Sequence, residues 1–159
     1  MIVGAGTPTA RLRKRRNNMT KHDCIFCKIA AGEIPSVTVY EDEEVRAILD
    51  LGPANPGHTL VLPKEHFDDS LEMPEELLGH AMAVGARIGR AQMEAMDYEG
   101  FHLLQNNREA AGQSVFHFHL HVIPRRKGDG AMGLWKPGHP SPEEMAEIGS
   151  KLQSRLSTP

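Results

Sequence analysis

Residues 113–124 set a histidine at every second position of an otherwise apolar run. His117, His119 and His121 alternate with Phe116, Phe118, Leu120 and Val122. A β-strand sends successive side chains to opposite faces, so on a strand the three imidazoles share one face and the apolar residues pack into a core on the other. Wound as a helix, the same residues would scatter the imidazoles round the cylinder. Pro124 cannot donate to a sheet ladder and is expected to end the strand. Whatever else the chain builds, it needs a half-buried sheet with one chemically loaded face.

Such a run has two plain readings, solvent-facing histidines on a half-buried strand or a metal-binding tract. The strict spacing behind Gly112, Gln113 and Ser114 points further. Neighbouring imidazoles repel when protonated, so most are neutral near pH 7. A neutral imidazole with one nitrogen tied to a backbone carbonyl presents a lone pair on the other, which makes it a nucleophile, a base or a metal ligand.

The rest of the chain supplies the sheet. Cys24–Gly32 reads as a short helix stopped by Gly32. Ser36–Tyr40 and Val45–Asp50 flank the polar turn Glu41–Glu44 and are expected to pair as an antiparallel hairpin. Gly52–Gly57 is built of turn residues, and His58–Pro63 is a third strand. Pro74 opens a long helix whose apolar stripe is Leu77, Leu78, Ala81, Val84, Gly85, Ile88, Ala91 and Ala95. Gly79, Gly85 and Gly89 on that helix are candidates for close packing on the sheet. Phe101–Gln105 is a fourth strand, and Asn106–Gly112 is the loop into the histidine strand. Residues 128–142 are rich in glycine and proline and hold Trp135. Ser141 and Glu144 cap a last helix running to about Leu156. Strands and helices are segregated, which defines an α+β fold of five antiparallel strands with one long helix and a C-terminal helix.

With 159 residues, the chain reads as one domain. Three segments are expected: a basic tail or extension over 1–22, a domain over 23–127 and a C-terminal segment over 128–159. The net charge of −3 is uneven: residues 1–18 carry five basic side chains and no acid, which leaves −8 on the remainder. An acidic body argues against a nucleic-acid surface on the domain, and Met19 offers a second possible start. No apolar run approaches the ~20 residues of a membrane span, and the first residues are too short for a signal-peptide core. These features point to the cytoplasm. Cys24 and Cys27 are too few for a disulfide framework; taken alone they are inert thiols, a redox pair or half of a metal site. A Walker-type glycine loop is absent, and so is any acidic cluster calling for obligatory magnesium.

The segment His117-Phe118-His119-Leu120-His121-Val122-Ile123 resembles the signature of the histidine triad (HIT) family. Ile25–Ile29 with Gly32–Pro35, Asp50 through His66, and Asn106 through Ser114 resemble it as well. The likeness spans roughly residues 23–127 and is closest to the bacterial members of the nucleotide-binding and hydrolase branch. It implies a homodimer that binds purine nucleotides and cleaves at the α-phosphorus of nucleoside phosphoramidates, adenylates or dinucleoside polyphosphates. Carried over by position, His119 is the nucleophile, His121 a phosphate-side proton donor, and Ser114 and His58 further catalytic residues. Asp50 holds the ribose, Asn106 and Gln113 contact phosphate, and Ile25, Phe26 and Leu51 line the base pocket. The resemblance also implies a structural zinc on Cys24, Cys27, His66 and His117. Two other functions compete with the hydrolase, a nucleotide-binding regulatory module with little turnover and a hydrolase using the triad as catalytic zinc ligands.

Overall fold

The computed structural model describes residues 23–133 and 136–156. The basic tail, the second possible start at Met19 and Trp135 lie outside the described residues. The elements run α1 (Ile25–Ala30), β1 (Thr38–Glu41), β2 (Val45–Leu49), β3 (Thr59–Pro63), α2 (Glu75–Met96), β4 (Gly100–Leu104), a 3₁₀ turn (Glu109–Ala111), β5 (Leu120–Arg125) and α3 (Pro142–Leu156). The five strands form one antiparallel sheet in the order β1-β2-β3-β5-β4, the α+β arrangement expected. No helix among the described residues is long and apolar enough to cross a membrane.

Local chemistry explains the ends of the elements. Gly32, at φ +80°, closes α1: its N–H bonds the Ile29 carbonyl while Glu33 N–H reaches back to Lys28, a pairing that satisfies carbonyls the helix end would otherwise leave open. Asp42 shapes the β1–β2 turn by accepting from the Glu44 and Val45 amides at 2.9 and 2.8 Å. Ser141 and Glu144 cap α3 reciprocally, side chain to backbone in both directions.

The sheet buries both faces, against different partners. On one, Val45, Ala47, Val61, Leu120 and Val122 pack with Phe118 against Ala81 and Val84 of α2. On the other, Ile48, Leu60 and Leu62 pack against Ile29 of α1, with Phe26 and Ile34 beside them. The stripe on α2 departs from expectation at its far end. Ala91 and Ala95 are exposed, and Gln92 is buried in their place. Its amide donates to the carbonyls of Gly57 and Val122 at 2.9 and 3.2 Å, so it ties the loop before β3 to β5.

Two of the three glycines flagged on α2 are there for close approach. A Cβ on Gly89 would lie 2.4 Å from the Phe101 ring, and one on Gly85 would lie 2.9 Å from Leu120. A Cβ on Gly79 would meet nothing within 4 Å. Gly89→Ala should therefore destabilise the fold by about 1–3 kcal/mol through overpacking, whereas Gly79→Ala should stabilise it by about 0.5–1 kcal/mol through helix propensity. Urea midpoints read both, and an unshifted midpoint for Gly89→Ala would refute the packing argument.

The histidine strand itself is shorter than expected. Its ladder to β3 begins at Leu120, opposite Val61, and residues 115–117 form a bend. Before that point the chain has peeled away from β3: the Phe118 amide bonds the carbonyl of Phe67, in the loop after β3. Phe116 is only partly buried and stays outside the core cluster. Pro124 does not end the strand, which runs on to Arg125. In a strand a residue's N and O point the same way. The Pro124 carbonyl accepts from the Asn55 side chain at 2.8 Å, and the β3 ladder has already ended at Thr59 opposite Val122. The missing N–H thus falls where no neighbouring strand needs it.

Candidate active site and metal centre

The three histidines alternate as their spacing demands, but they serve two different sites. His117 is fully buried and turns toward α1. Its Nε2–H donates to the Pro63 carbonyl at 3.0 Å, which leaves the Nδ1 lone pair facing Cys24 Sγ at 3.5 Å, Cys27 Sγ at 3.4 Å and His66 Nδ1 at 3.2 Å. Cys27 Sγ lies 3.2 Å from His66 Nδ1. His66 Nε2–H donates in turn to Asp68 Oδ1 at 3.1 Å, so a carboxylate fixes this tautomer too. All four ligand atoms fall within 4.8 Å of one another. Zinc bonds of about 2.0–2.3 Å to nitrogen and sulfur require tetrahedral ligand separations of roughly 3.3–3.8 Å. Two thiols and two oriented imidazole lone pairs at these distances fit that ion in donor type, number and spacing, and the Asp68 contact is the outer support such a ligand takes. Burial pushes His117 down to about 4, with His66 and His119 adding to the effect, which keeps its lone pair available. Neither cysteine is in a disulfide.

His119 and His121 occupy a second centre. His119 is buried, and its Nδ1–H donates to the carbonyl of His117 at 2.7 Å. Its Nε2 therefore carries the lone pair. The tautomer of His121 follows from a relay. The Ala54 amide donates to His58 Nδ1 at 3.1 Å, so His58 bears its proton on Nε2. That proton is directed to His121 Nδ1 at 2.9 Å, and His121 in consequence offers Nε2–H as a donor. The His119 and His121 rings meet edge to face with centroids 4.9 Å apart. A lone pair and an N–H donor thus stand side by side. Burial, the largest cause in each case, lowers all three of these imidazoles below the ordinary 6.5, His121 to about 4. They are neutral at pH 7.

Asp50 approaches the same centre from the end of β2. One carboxylate oxygen accepts from the Gly52 amide at 2.8 Å and the other lies 3.7 Å from His58 Nε2. Phe26 of α1 sets its ring against His119 at 5.1 Å and His117 at 6.1 Å. Ile25 is half exposed and Leu51 wholly exposed. Ser114 is exposed on the loop before the bend, and the Asn106 amide lies beside Gly112 on that loop.

Gln113, expected at the phosphate, is buried with both ends of its side chain engaged. Oε1 accepts from Arg108 N–H at 2.7 Å, and Nε2 donates to the carbonyls of Asp68 and Val115 at 2.6 and 3.1 Å. It braces the loop, because its amide is spent there before any ligand arrives. The triad also fails to converge on a single ion. His117 belongs to the cysteine cluster, while among the described residues His119 belongs to no group of potential metal ligands. Three supports were missed in the sequence: Pro63 O, the Ala54 amide and Asp68. The first two are backbone groups and leave no residue-type signal. Asp68, two residues after His66, was there to be read.

The HIT domain family matches residues 31–128. Among curated relatives, Protein hit of Bacillus subtilis is 45% identical over 139 residues, covering 86% of this chain and 96% of the relative. An adenosine 5'-monophosphoramidase of Schizosaccharomyces pombe is 36% identical over 134 residues, 84% of this chain and 98% of the relative. Among solved structures, a zinc-bound histidine triad family protein from Mycobacterium smegmatis superposes with a TM-score of 0.68 at 39% identity, covering 86% of this chain and 99% of the other. Five antiparallel strands, paired imidazoles at the start of β5 and alignment across nearly the whole of these relatives converge, and the chain belongs to the histidine triad family.

Proposed function

We propose that the protein is a nucleotidyl hydrolase acting at the α-phosphorus of purine nucleoside phosphoramidates, adenylates or dinucleoside polyphosphates. One observation carries the reading: the His119 Nδ1–H bond to the His117 carbonyl, which aims a neutral Nε2 lone pair beside the N–H donor of His121. His119 attacks the α-phosphorus in line, the P–N bond forms as the bond to the leaving group breaks, and His121 gives the leaving group its proton. Acid assistance of this kind is typically worth about 10²–10⁴-fold. Water then cleaves the labile P–N bond of the nucleotidyl-histidine: its oxygen goes to phosphorus, one of its protons returns to His121, and the nucleoside monophosphate leaves with both histidines restored. His58 holds the His121 tautomer. Ser114 and Asn106 donate to phosphate oxygens, Asp50 accepts from the ribose hydroxyls, and Phe26 lines the base pocket with Ile25 and Leu51 at its rim. The phosphoramidase relative supports the substrate class. The test is a rapid alkaline quench of a turnover with labelled adenosine phosphoramidate. Label on the intact protein supports the intermediate, and turnover with no adduct at any time point rejects it.

The same reading places a structural zinc on Cys24, Cys27, His66 and His117. When bound, the ion cross-links α1 to the loop after β3 and to the residue whose carbonyl orients His119. No obligatory magnesium enters. A homodimer is supported by the outer edge of β4 and by Met82 and Met93, exposed on α2. Sedimentation as a single chain at assay concentration would refute it. A cytoplasmic setting is supported by two neighbouring cysteines that form no disulfide, and export of the tagged chain from the cell would count against it.

A further inference from the structure

The loop that carries Asn106 and Ser114 is held by a residue in a backbone conformation it does not favour. Arg108 sits at φ +72°, ψ 166°, a region essentially restricted to glycine. Among the described residues, the other non-glycine position with positive φ is Asp97, which adopts the ordinary left-handed conformation at a helix end. Strain of this kind persists only where the surroundings over-determine it, and around Arg108 they do. Its N–H donates to Gln113 Oε1, and its carbonyl accepts from the Ala111 and Gln113 amides at 3.1 Å each. Its Nε pairs with the carboxylate of buried Asp69 at 3.2 Å.

Asp69 lies in the loop after β3, and the two loops are joined rung by rung. The Phe118 amide bonds the Phe67 carbonyl. Gln113 Nε2 bonds the Asp68 carbonyl, Arg108 pairs with Asp69, and the Ser70 amide and hydroxyl both donate to Asn107 Oδ1 at 3.0 and 2.7 Å. Asn106 and Ser114 are each the chain neighbour of a rung, Asn107 and Gln113. Between them the backbone must reverse, and Arg108 occupies the residue where it does.

We propose that Arg108 is a positioning residue: its ion pair with Asp69 holds the 106–114 loop in a glycine-type conformation that keeps Asn106 and Ser114 at the phosphate. The role given to the arginine rests on the functional reading above. Its side chain acts on the loop backbone and not on the substrate. Glycine at this position needs no latch, because it adopts the same backbone without strain. Alanine loses the latch and keeps the strain.

The test compares wild type, Arg108→Ala and Arg108→Gly as purified holoprotein, by steady-state turnover of an adenosine phosphoramidate and by hydrogen exchange over residues 105–118. For Arg108→Ala, kcat should fall by about 10–100-fold, the scale of a small misplacement of binding groups, while Arg108→Gly should stay within about threefold of wild type. Exchange over the loop should rise in the alanine variant and return close to wild type in the glycine one. Equal loss in both variants would mean that the guanidinium itself meets the substrate, and an unimpaired alanine variant would mean there is no latch; either overturns the proposal. Should wild type turn over no nucleotide, the functional reading fails by itself, and the order of exchange rates still decides whether the latch exists.

Discussion

His119→Ala should lower kcat/KM on an adenosine phosphoramidate by a factor on the order of 10⁴–10⁶, the scale seen when a covalent nucleophile is deleted. The reason is specific to this imidazole. Among the three histidines of the run, His119 has its Nδ1–H tied to a backbone carbonyl and stays out of the metal cluster, so its Nε2 lone pair is the one free to attack phosphorus. The variant should keep its circular dichroism and its metal content, because neither the cysteine cluster nor the β3–β5 ladder uses the lost ring. His121→Ala should cost less, about the 10²–10⁴ of a general acid. The wild-type pH profile tests the same assignment. A nucleophile whose pKa is lowered stays neutral below pH 6.5, and His121 is held at about 4. Any acid limb in kcat/KM should therefore be centred below pH 6.5. Turnover that survives His119→Ala, or an acid limb centred at 6.5 or above, would contradict the assignment.

What could be read in the sequence and what could not divide along a physical line. Features carried by residue type at fixed spacing were legible: the alternating histidines, Gly32 as a helix stop, the Ser141–Glu144 cap, Cys24 and Cys27 one helical turn apart. Each acts locally, so its neighbours in sequence are its neighbours in space. Features that depend on a distant partner's backbone were not. Pro124 reads as a strand end because a missing N–H usually breaks a ladder, and only the fold shows that the β3 ladder has already finished at Thr59. Gln113 looked like a phosphate donor because its side chain suits that role, and only the fold supplies the Arg108 and Asp68 backbone groups that claim it first. Polarity favours Ala91 and Ala95 over Gln92 for the buried stripe. Two backbone carbonyls, of Gly57 and Val122, reverse that preference. The division of labour among the three histidines follows the same rule. Spacing showed that they share a face, and the bend at 115–117 decides that His117 leaves for the cysteines.

Stripping metal from the purified protein with a chelator should lower its melting temperature by about 10 °C. The ligands come from three separate stretches, α1, the loop after β3 and the approach to β5, so a bound ion cross-links residues far apart in sequence. Structural zinc in small peptides contributes about 10–16 kcal/mol, nearly all of it as folding energy. Here the sheet and α2 form a core without it, and a share of about 4 kcal/mol is reasonable. At roughly 2–4 °C per kcal/mol for a chain of this size, that share gives the expected shift. The loss should also be local. Cys24 begins the short α1 and its core residues pack on β3, so the end of the domain carrying Phe26 should loosen first, and with it the ring that stands against His119. Metal-free protein should then bind nucleotide more weakly while keeping part of its turnover, since His121 lies on β5, His119 directly precedes it, and neither belongs to the Cys24, Cys27, His66 and His117 cluster. This separates a structural ion from a catalytic one: turnover that falls to the level of His119→Ala on chelation and returns at once with zinc would make the metal part of the chemistry. Metal-free protein that melts where the holoprotein does and keeps full activity would remove the site from the account altogether.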